Sequence, residues 1–222
     1  MPLKNFGEAL RQLWPTLTIR FRKKPITTAE ELVEFIQTRA AYVAQTSLYG
    51  YLKTRMGTKF VKVFQDDEFA PSLAHAKWRV YGICLSDLTV FCVATTFKDI
   101  QTKKTDCEDF ARLCFEQATL QGFDDPDYHS VRDQSRAEFE DRLPHVNWQE
   151  APEGEKAFTE SPEGVVEFAP IIKEFKELDK EIVINSTRFR WRDVRDQLRR
   201  RIDGLSVHQD WIEREPSDPS GI

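Results

Sequence analysis

Residues 80–97 read Val-Tyr-Gly-Ile-Cys-Leu-Ser-Asp-Leu-Thr-Val-Phe-Cys-Val-Ala-Thr-Thr-Phe, an apolar run with one formal charge, Asp87, at its middle. As a helix these residues extend roughly 27 Å, a little short of a hydrocarbon core of about 30 Å. Asp87 near a bilayer midplane would cost on the order of 3 kcal/mol on an insertion scale. The flanks, Lys77 and Arg79 before the run and Lys98 after it, give no orientation bias. A buried central helix accounts for the run better than a membrane span does.

The neighbouring segments supply helices to bury it. Upstream, Asp66 or Asp67 can cap the same helix, with Pro71 tolerated early and Trp78 inside it. Before that, Thr28 and Glu31 form a capping box. Leu32, Phe35, Ile36, Arg39, Ala40 and Val43 then share one face, and Gly57 is a natural stop. Downstream, Thr105 and Glu108 predict a second capping box, with Phe110, Leu113, Cys114 and Ala118 facing inward and Gly122 ending the helix. Asp127 to Leu143 has weaker periodicity, carried by Val131, Phe139 and Leu143.

Residues 144–164 carry Pro144, Pro152, Gly154, Pro162, Gly164 and several glutamates, the composition of an acidic linker. Val165 to Leu178 reads as helix with a break before Pro170, and the last strong helix spans about Ser186 to Ile202. The pattern predicts an all-α protein, one compact helical domain of about six or seven helices over residues 26–203. An amphipathic basic extension, residues 1–25, precedes it, and a mostly flexible tail, residues 204–222, follows.

Composition is compatible with such a core. Of 222 residues 40% are hydrophobic, including 16 Phe, so disorder throughout is excluded. Nine Gly and 11 Pro are too few for a turn-dense β-sandwich. Cys84 and Cys92, and Cys107 and Cys114, stand eight and seven residues apart. On helices those spacings are roughly 12 and 10 Å, too far for disulfides. Reduced thiols in a cytoplasmic protein follow, and no secretory signal is visible.

Asp87 needs a partner, because an unpaired buried carboxylate protonates instead of persisting as a charge. Arg39 interrupts the otherwise apolar face of the first long helix. Two lone opposite charges on apolar stripes predict one buried ion pair, Arg39–Asp87. The functional alternative is a polar pocket at Asp87 lined by Tyr42, Tyr49, Trp78 and Tyr81.

Catalytic motifs are missing. His75, His129, His145 and His208 are scattered, with no HxxxH and no Glu-x-x-His, so no metal site is assigned. There is no Gly-x-Ser-x-Gly, no Ser-x-x-Lys and no phosphate-cradling glycine loop. No catalytic residue and no cofactor is assigned.

Two basic elements remain. Over residues 1–25 six basic residues face Glu8 alone, net +5. Phe6, Leu10, Leu13 and Trp14 make an apolar face there, and Arg20, Arg22, Lys23 and Lys24 a basic run. That pairing suits reversible association with an anionic membrane surface. Over residues 188–201 seven arginines face Asp193 and Asp196, again net +5. Trp191, Val194, Leu198 and Ile202 make the apolar stripe, and Arg188, Arg192, Arg195 and Arg199 a parallel basic one. Those four arginines are the candidate partner-binding residues. Internal neutralisation by Asp124, Asp125, Glu138, Glu140 and Asp141 is the competing use. Nucleic acid ranks last as a partner, since a pI near 5.5 lacks the usual electrostatic footprint.

The phrases Ile-Thr-Thr-Ala-Glu-Glu-Leu at 26–32, Leu-Tyr-Gly-Tyr-Leu-Lys-Thr-Arg-Met-Gly at 48–57 and Arg-Phe-Arg-Trp-Arg-Asp-Val-Arg at 188–195 resemble an uncharacterised helical family of alphaproteobacteria. Some of its members carry the label "esterase". The resemblance covers most of residues 25–203 and implies a bacterial cytoplasm. The label implies a nucleophilic serine with a histidine partner, and no motif of this sequence assigns either.

The expected function is therefore a non-enzymatic helical protein that binds a protein partner, an adaptor or assembly factor at the cytoplasmic face of a bacterial inner membrane. Its rivals are a small esterase-like hydrolase or ligand-binding enzyme with a pocket near Asp87, and a nucleic-acid binder using the basic C-terminal helix.

Overall fold

The computed structural model describes residues 24–57 and 68–214. Among them the architecture is all-α, with seven helices packed in one arrangement. These are α1 (Ala29–Met56), α2 (Phe69–Phe97), α3 (Lys104–Gly122), α4 (His129–Arg142), α5 (Ser161–Phe168), α6 (Lys173–Arg199) and α7 (Gly204–Arg214).

The apolar run forms the axis of the fold. Residues 76–94 of α2 are buried without interruption. A helix that is apolar all round must be covered all round, and α1, α3, α4, α5 and α7 cover this one. By length and composition α2 could cross a membrane, yet 94% of its most apolar stretch is buried within the protein.

α1 starts as its cap predicts. Thr28 is extended and its hydroxyl accepts the Glu31 N–H at 3.2 Å. The Glu31 carboxylate does not close the box onto Thr28. It accepts from the Thr27 N–H at 2.9 Å and pairs with Lys24 at 2.7 Å. Those bonds, the Lys24 one foremost, pull its pKa from 4.5 to about 2. Gly57 ends the helix. The expected caps Asp66 and Asp67 of α2 lie outside the described residues, and Glu68 precedes that helix.

α3 begins two residues earlier than expected. Its box is formed by Asp106, whose carboxylate accepts the Lys103 N–H at 3.0 Å, and Thr105 lies inside the first turn. Phe110, Cys114 and Ala118 point inward, whereas Leu113 is at the surface. α4 buries Val131 and Phe139, followed by Leu143.

Residues 144–164 are not a linker. Two short 3₁₀ turns, Leu143–His145 and Ala151–Glu153, lead into the first residues of α5. Ala151, Pro152, Ala157 and Phe158 are buried. Phe158 sits between Phe91 and Trp191, with ring centroids 5.3 and 4.6 Å away. The acidic composition belongs to the outside of this segment and its apolar residues to the core. Gly154 turns the chain at φ 103°, a conformation that disfavours a side chain, and the Arg195 guanidinium fills the space beside it.

Pro170 separates α5 from α6, as expected, but α6 is then continuous from Lys173 to Arg199. The tail is helical at its start, contrary to expectation. Val207 and Trp211 of α7 are buried, with Trp211 4.9 Å from Phe110 and 5.8 Å from Phe97. A side chain at Gly204 would come within 2.4 Å of the Thr96 carbonyl, so only glycine lets α7 start against the end of α2. The Asp210 carboxylate accepts the Ala29 N–H at 2.8 Å, capping α1 from the far end of the chain. Ile26 joins the α6–α7 junction through Ile26 N–H to Arg201 carbonyl (2.8 Å) and Asp203 N–H to Ile26 carbonyl (2.9 Å).

A docked α7 makes a direct prediction. Trp211→Ala will lower stability by about 3–5 kcal/mol through lost burial and a cavity. Ile212→Ala, on the exposed side, will cost less than about 1 kcal/mol. Chemical denaturation of the two variants measures the contrast.

Candidate functional site

Asp87 is 0% exposed. Its ion-pair partner is Arg142 of α4, at 2.9 Å, not Arg39. Two backbone donors complete its shell, Ser161 N–H at 2.7 Å and Glu160 N–H at 3.3 Å. The carboxylate is therefore a cap for α5 supplied by another helix. It satisfies donors left open at a helix start and sits at the positive end of the helix dipole.

Arg142 extends the network. It donates to the Ser86 hydroxyl (2.7 Å), Glu160 (3.2 Å), the Ala157 carbonyl (2.8 Å) and the Thr159 hydroxyl (3.2 Å). The Trp191 indole N–H donates to the Ser161 hydroxyl at 2.8 Å, tying α6 to the same point. Desolvation, with Asp87 adding to it, raises the Glu160 pKa above the ordinary carboxylate value against the pull of Arg142.

Arg39 is buried elsewhere. Its Nε donates to Gln197 of α6 at 2.9 Å and its guanidinium lies over the Phe35 ring. Burial, with Arg201 nearby, lowers its pKa to about 10. The aromatic pocket expected at Asp87 is also rearranged. Trp78 and Tyr81 pack on Phe123, at 5.0 and 5.2 Å, and Trp78 also meets Tyr128. All four cysteines are free and buried, and burial pushes the thiols of Cys84, Cys92 and Cys114 up, away from nucleophilic thiolate.

The four candidate arginines divide into two pairs. Arg199 donates to the Pro152 carbonyl at 2.8 Å and lies over Phe91. Arg195 packs on Gly154 and over Phe158, and burial lowers its pKa. Those two hold the 151–158 segment against the core. Arg188 and Arg192 are exposed and make no ion pair among the described residues. Nor does the acidic middle neutralise the stripe: Glu138 pairs with Arg79 and Glu140 with Arg112, each at 2.9 Å. Of the expected membrane-surface residues, Phe6, Leu10, Leu13, Trp14, Arg20, Arg22 and Lys23 lie outside the described residues. Lys24 is described and pairs with Glu31.

An exposed apolar line on α6 was not foreseen. Phe175 (44% exposed), Leu178 (71%), Ile182 (72%) and Phe189 (71%) stand on α6 at steps of three, four and seven residues. They form one line on the side of the helix opposite Val183, Ile184, Thr187, Trp191, Val194 and Leu198, which are buried. Glu174, Glu177 and Glu181 flank the first half of that line, and Arg188 and Arg192 flank the second on the same side. The expected helices, Val165 to Leu178 and about Ser186 to Ile202, left residues 179–185 between them and so divided this line between two elements.

Two clefts open on the described surface. One, of about 670 Å³, lies between the 98–104 turn and residues 144–149, lined by Lys98, Lys103, Lys104, His145 and Trp148. The other, of about 440 Å³, runs between α1 and α6 beside the Arg55–Asp179 ion pair. Asp87 lines neither. Among the described residues no cluster of His, Cys, Asp and Glu could hold a metal ion. No family model, no curated protein and no solved structure matches the chain.

The Asp87 network predicts a specific coupling. Arg142→Met or Asp87→Leu alone will destabilise by about 3–5 kcal/mol by stranding the other charge, and the double variant will recover part of that loss. Arg39→Met combined with Asp87→Leu will be additive. Urea denaturation of the two double-mutant cycles decides between the partners.

Proposed function

We propose that this chain is a non-enzymatic, partner-binding helical protein, an adaptor or assembly factor, and that the outer face of α6 is its binding surface. The observation that carries this is the line Leu178, Ile182 and Phe189, held out to solvent on α6 and extended by Phe175, which is half-exposed beneath the Arg55 guanidinium, with charges along one flank. Contiguous exposed apolar side chains with a polar rim mark interaction sites. Arg188 and Arg192 add donors suited to carboxylates. Against the alternative, an esterase-like or ligand-binding enzyme with a pocket near Asp87, stands the burial of that carboxylate, which caps a helix and has no solvent access.

Because the line is exposed, changing it should separate binding from folding. Phe189→Ser with Leu178→Ser will leave the melting temperature within about 3 °C of wild type. The same variant will lose the proteins that copurify with the native chain from cytosol and membranes. Retained copurification would remove α6 from the surface.

The setting we propose is the cytoplasmic face of a bacterial inner membrane, supported by the +5 charge and apolar residues of positions 1–25. The full chain should sediment with phosphatidylglycerol-containing vesicles, less so as salt rises from about 0.05 to 0.5 M. Deleting residues 1–23 should abolish that binding, and unchanged sedimentation would exclude the segment as an anchor.

A further inference from the structure

The α6 line is self-complementary. Phe175 and Phe189 stand seven residues before and after Ile182, so both fall within about 20° of it around the helix. Laying a second α6 antiparallel across the first, with Ile182 against Ile182, places Phe175 of each copy opposite Phe189 of the other. The charges obey the same symmetry. Glu174, Glu177 and Glu181 lie on one flank of the first half, and Arg188 and Arg192 continue that flank in the second.

In an antiparallel pair each flank runs beside its own copy. Glu177 then comes within one residue's rise of Arg188, and Glu174 faces the turn that carries Arg188 and Arg192. Among the described residues Glu174, Glu181, Arg188 and Arg192 have no ion pair, and Glu177 reaches Lys173 at 3.7 Å. A parallel, in-register two-fold pair would instead carry the two charged flanks to opposite sides of the interface, so that no Glu meets an Arg across it.

We infer that the occupant of this face is a second copy of the chain, forming a two-fold antiparallel dimer through α6. This rests on the proposal that α6 is a binding surface and names its partner. The interface is isologous, one patch serving both subunits. Its apolar line is about 21 Å long, which belongs to the smaller class of interfaces, where weak, concentration-dependent association is expected.

The test is sedimentation equilibrium of the full chain over about 1–200 µM. Wild type is expected to pass from monomer to dimer, and Ile182→Glu to stay monomeric, a loss of about 30-fold or more in association constant, with an unchanged melting temperature. Glu174→Arg with Glu177→Arg, and Arg188→Glu with Arg192→Glu, should each be monomeric alone and form a heterodimer when mixed. Phe175→Cys mixed with Phe189→Cys should give a disulfide-linked dimer on mild oxidation, the native thiols being buried.

A wild-type monomer across the range overturns the dimer, as does a dimer that survives Ile182→Glu. Cross-linking of Phe175→Cys with itself in preference to the mixture overturns the antiparallel register. Dimerisation only after removal of residues 1–23 would assign the face to the chain's own N-terminal segment. A monomer that still loses copurifying proteins on Phe189→Ser with Leu178→Ser overturns self-association while leaving partner binding standing, so the two failures are distinguishable.

Discussion

A carboxylate without solvent access must find its whole hydrogen-bond shell inside the protein, and Asp87 places that demand at the middle of the helix around which everything else packs. The Ser161 and Glu160 N–H groups answer it by anchoring the start of α5, and Arg142 answers it from α4. Arg142 in turn holds the Ala157 carbonyl and the Thr159 hydroxyl, which seats Phe158 between Phe91 and Trp191. Trp191 returns to Ser161. One charge thus positions a segment of irregular chain and fixes how α6 lies on the core. The outward line on α6 inherits its orientation from that arrangement.

The helical class and several element ends were legible because they depend on local signals. The uninterrupted apolar run of α2, the Thr28 cap and the stops at Gly57 and Gly122 are each readable within a few residues. The partner of Asp87 was not, because burial is a property of the folded neighbourhood. Arg39 stands on an apolar face and attracts attention, yet that face meets α6 and Gln197. Arg142 ends a polar helix that reads as solvated, and its side chain is drawn inward by a segment whose composition resembles a linker. The arginine stripe was legible as a basic element. Which of its members were taken was not, since Arg195 and Arg199 are used by the 151–158 turn. The continuous α6 was hidden between Leu178 and Ser186, where Asp179, Lys180 and Glu181 carry no apolar signal and the burial of Val183, Ile184 and Thr187 carries the helix through.

Capping follows the same division. Rules written for sequence look three residues ahead, and they locate Thr28. Neither Asp87 at the start of α5 nor Asp210 at the start of α1 obeys them, because each acts across a long separation in the chain. These tertiary caps make helix formation and domain assembly one event, so the helices they serve depend on the rest of the fold for their beginnings.

The closing contacts of the domain join its first described residues to its last. Ile26 bridges the α6–α7 junction, Asp210 caps α1, and Trp211 covers Phe97 and Phe110 at the end of the central helix. On the ribosome, α2 therefore emerges well before the element that seals it. Throughout the synthesis of more than a hundred further residues, a segment apolar enough to enter a bilayer lacks part of its cover. Contacts of such sequence separation also close slowly once the chain is free. Nascent chains of this protein thus present a long hydrophobic helix to whatever chaperone or membrane surface reaches them first, a hazard that ends only when the final turn of α7 docks.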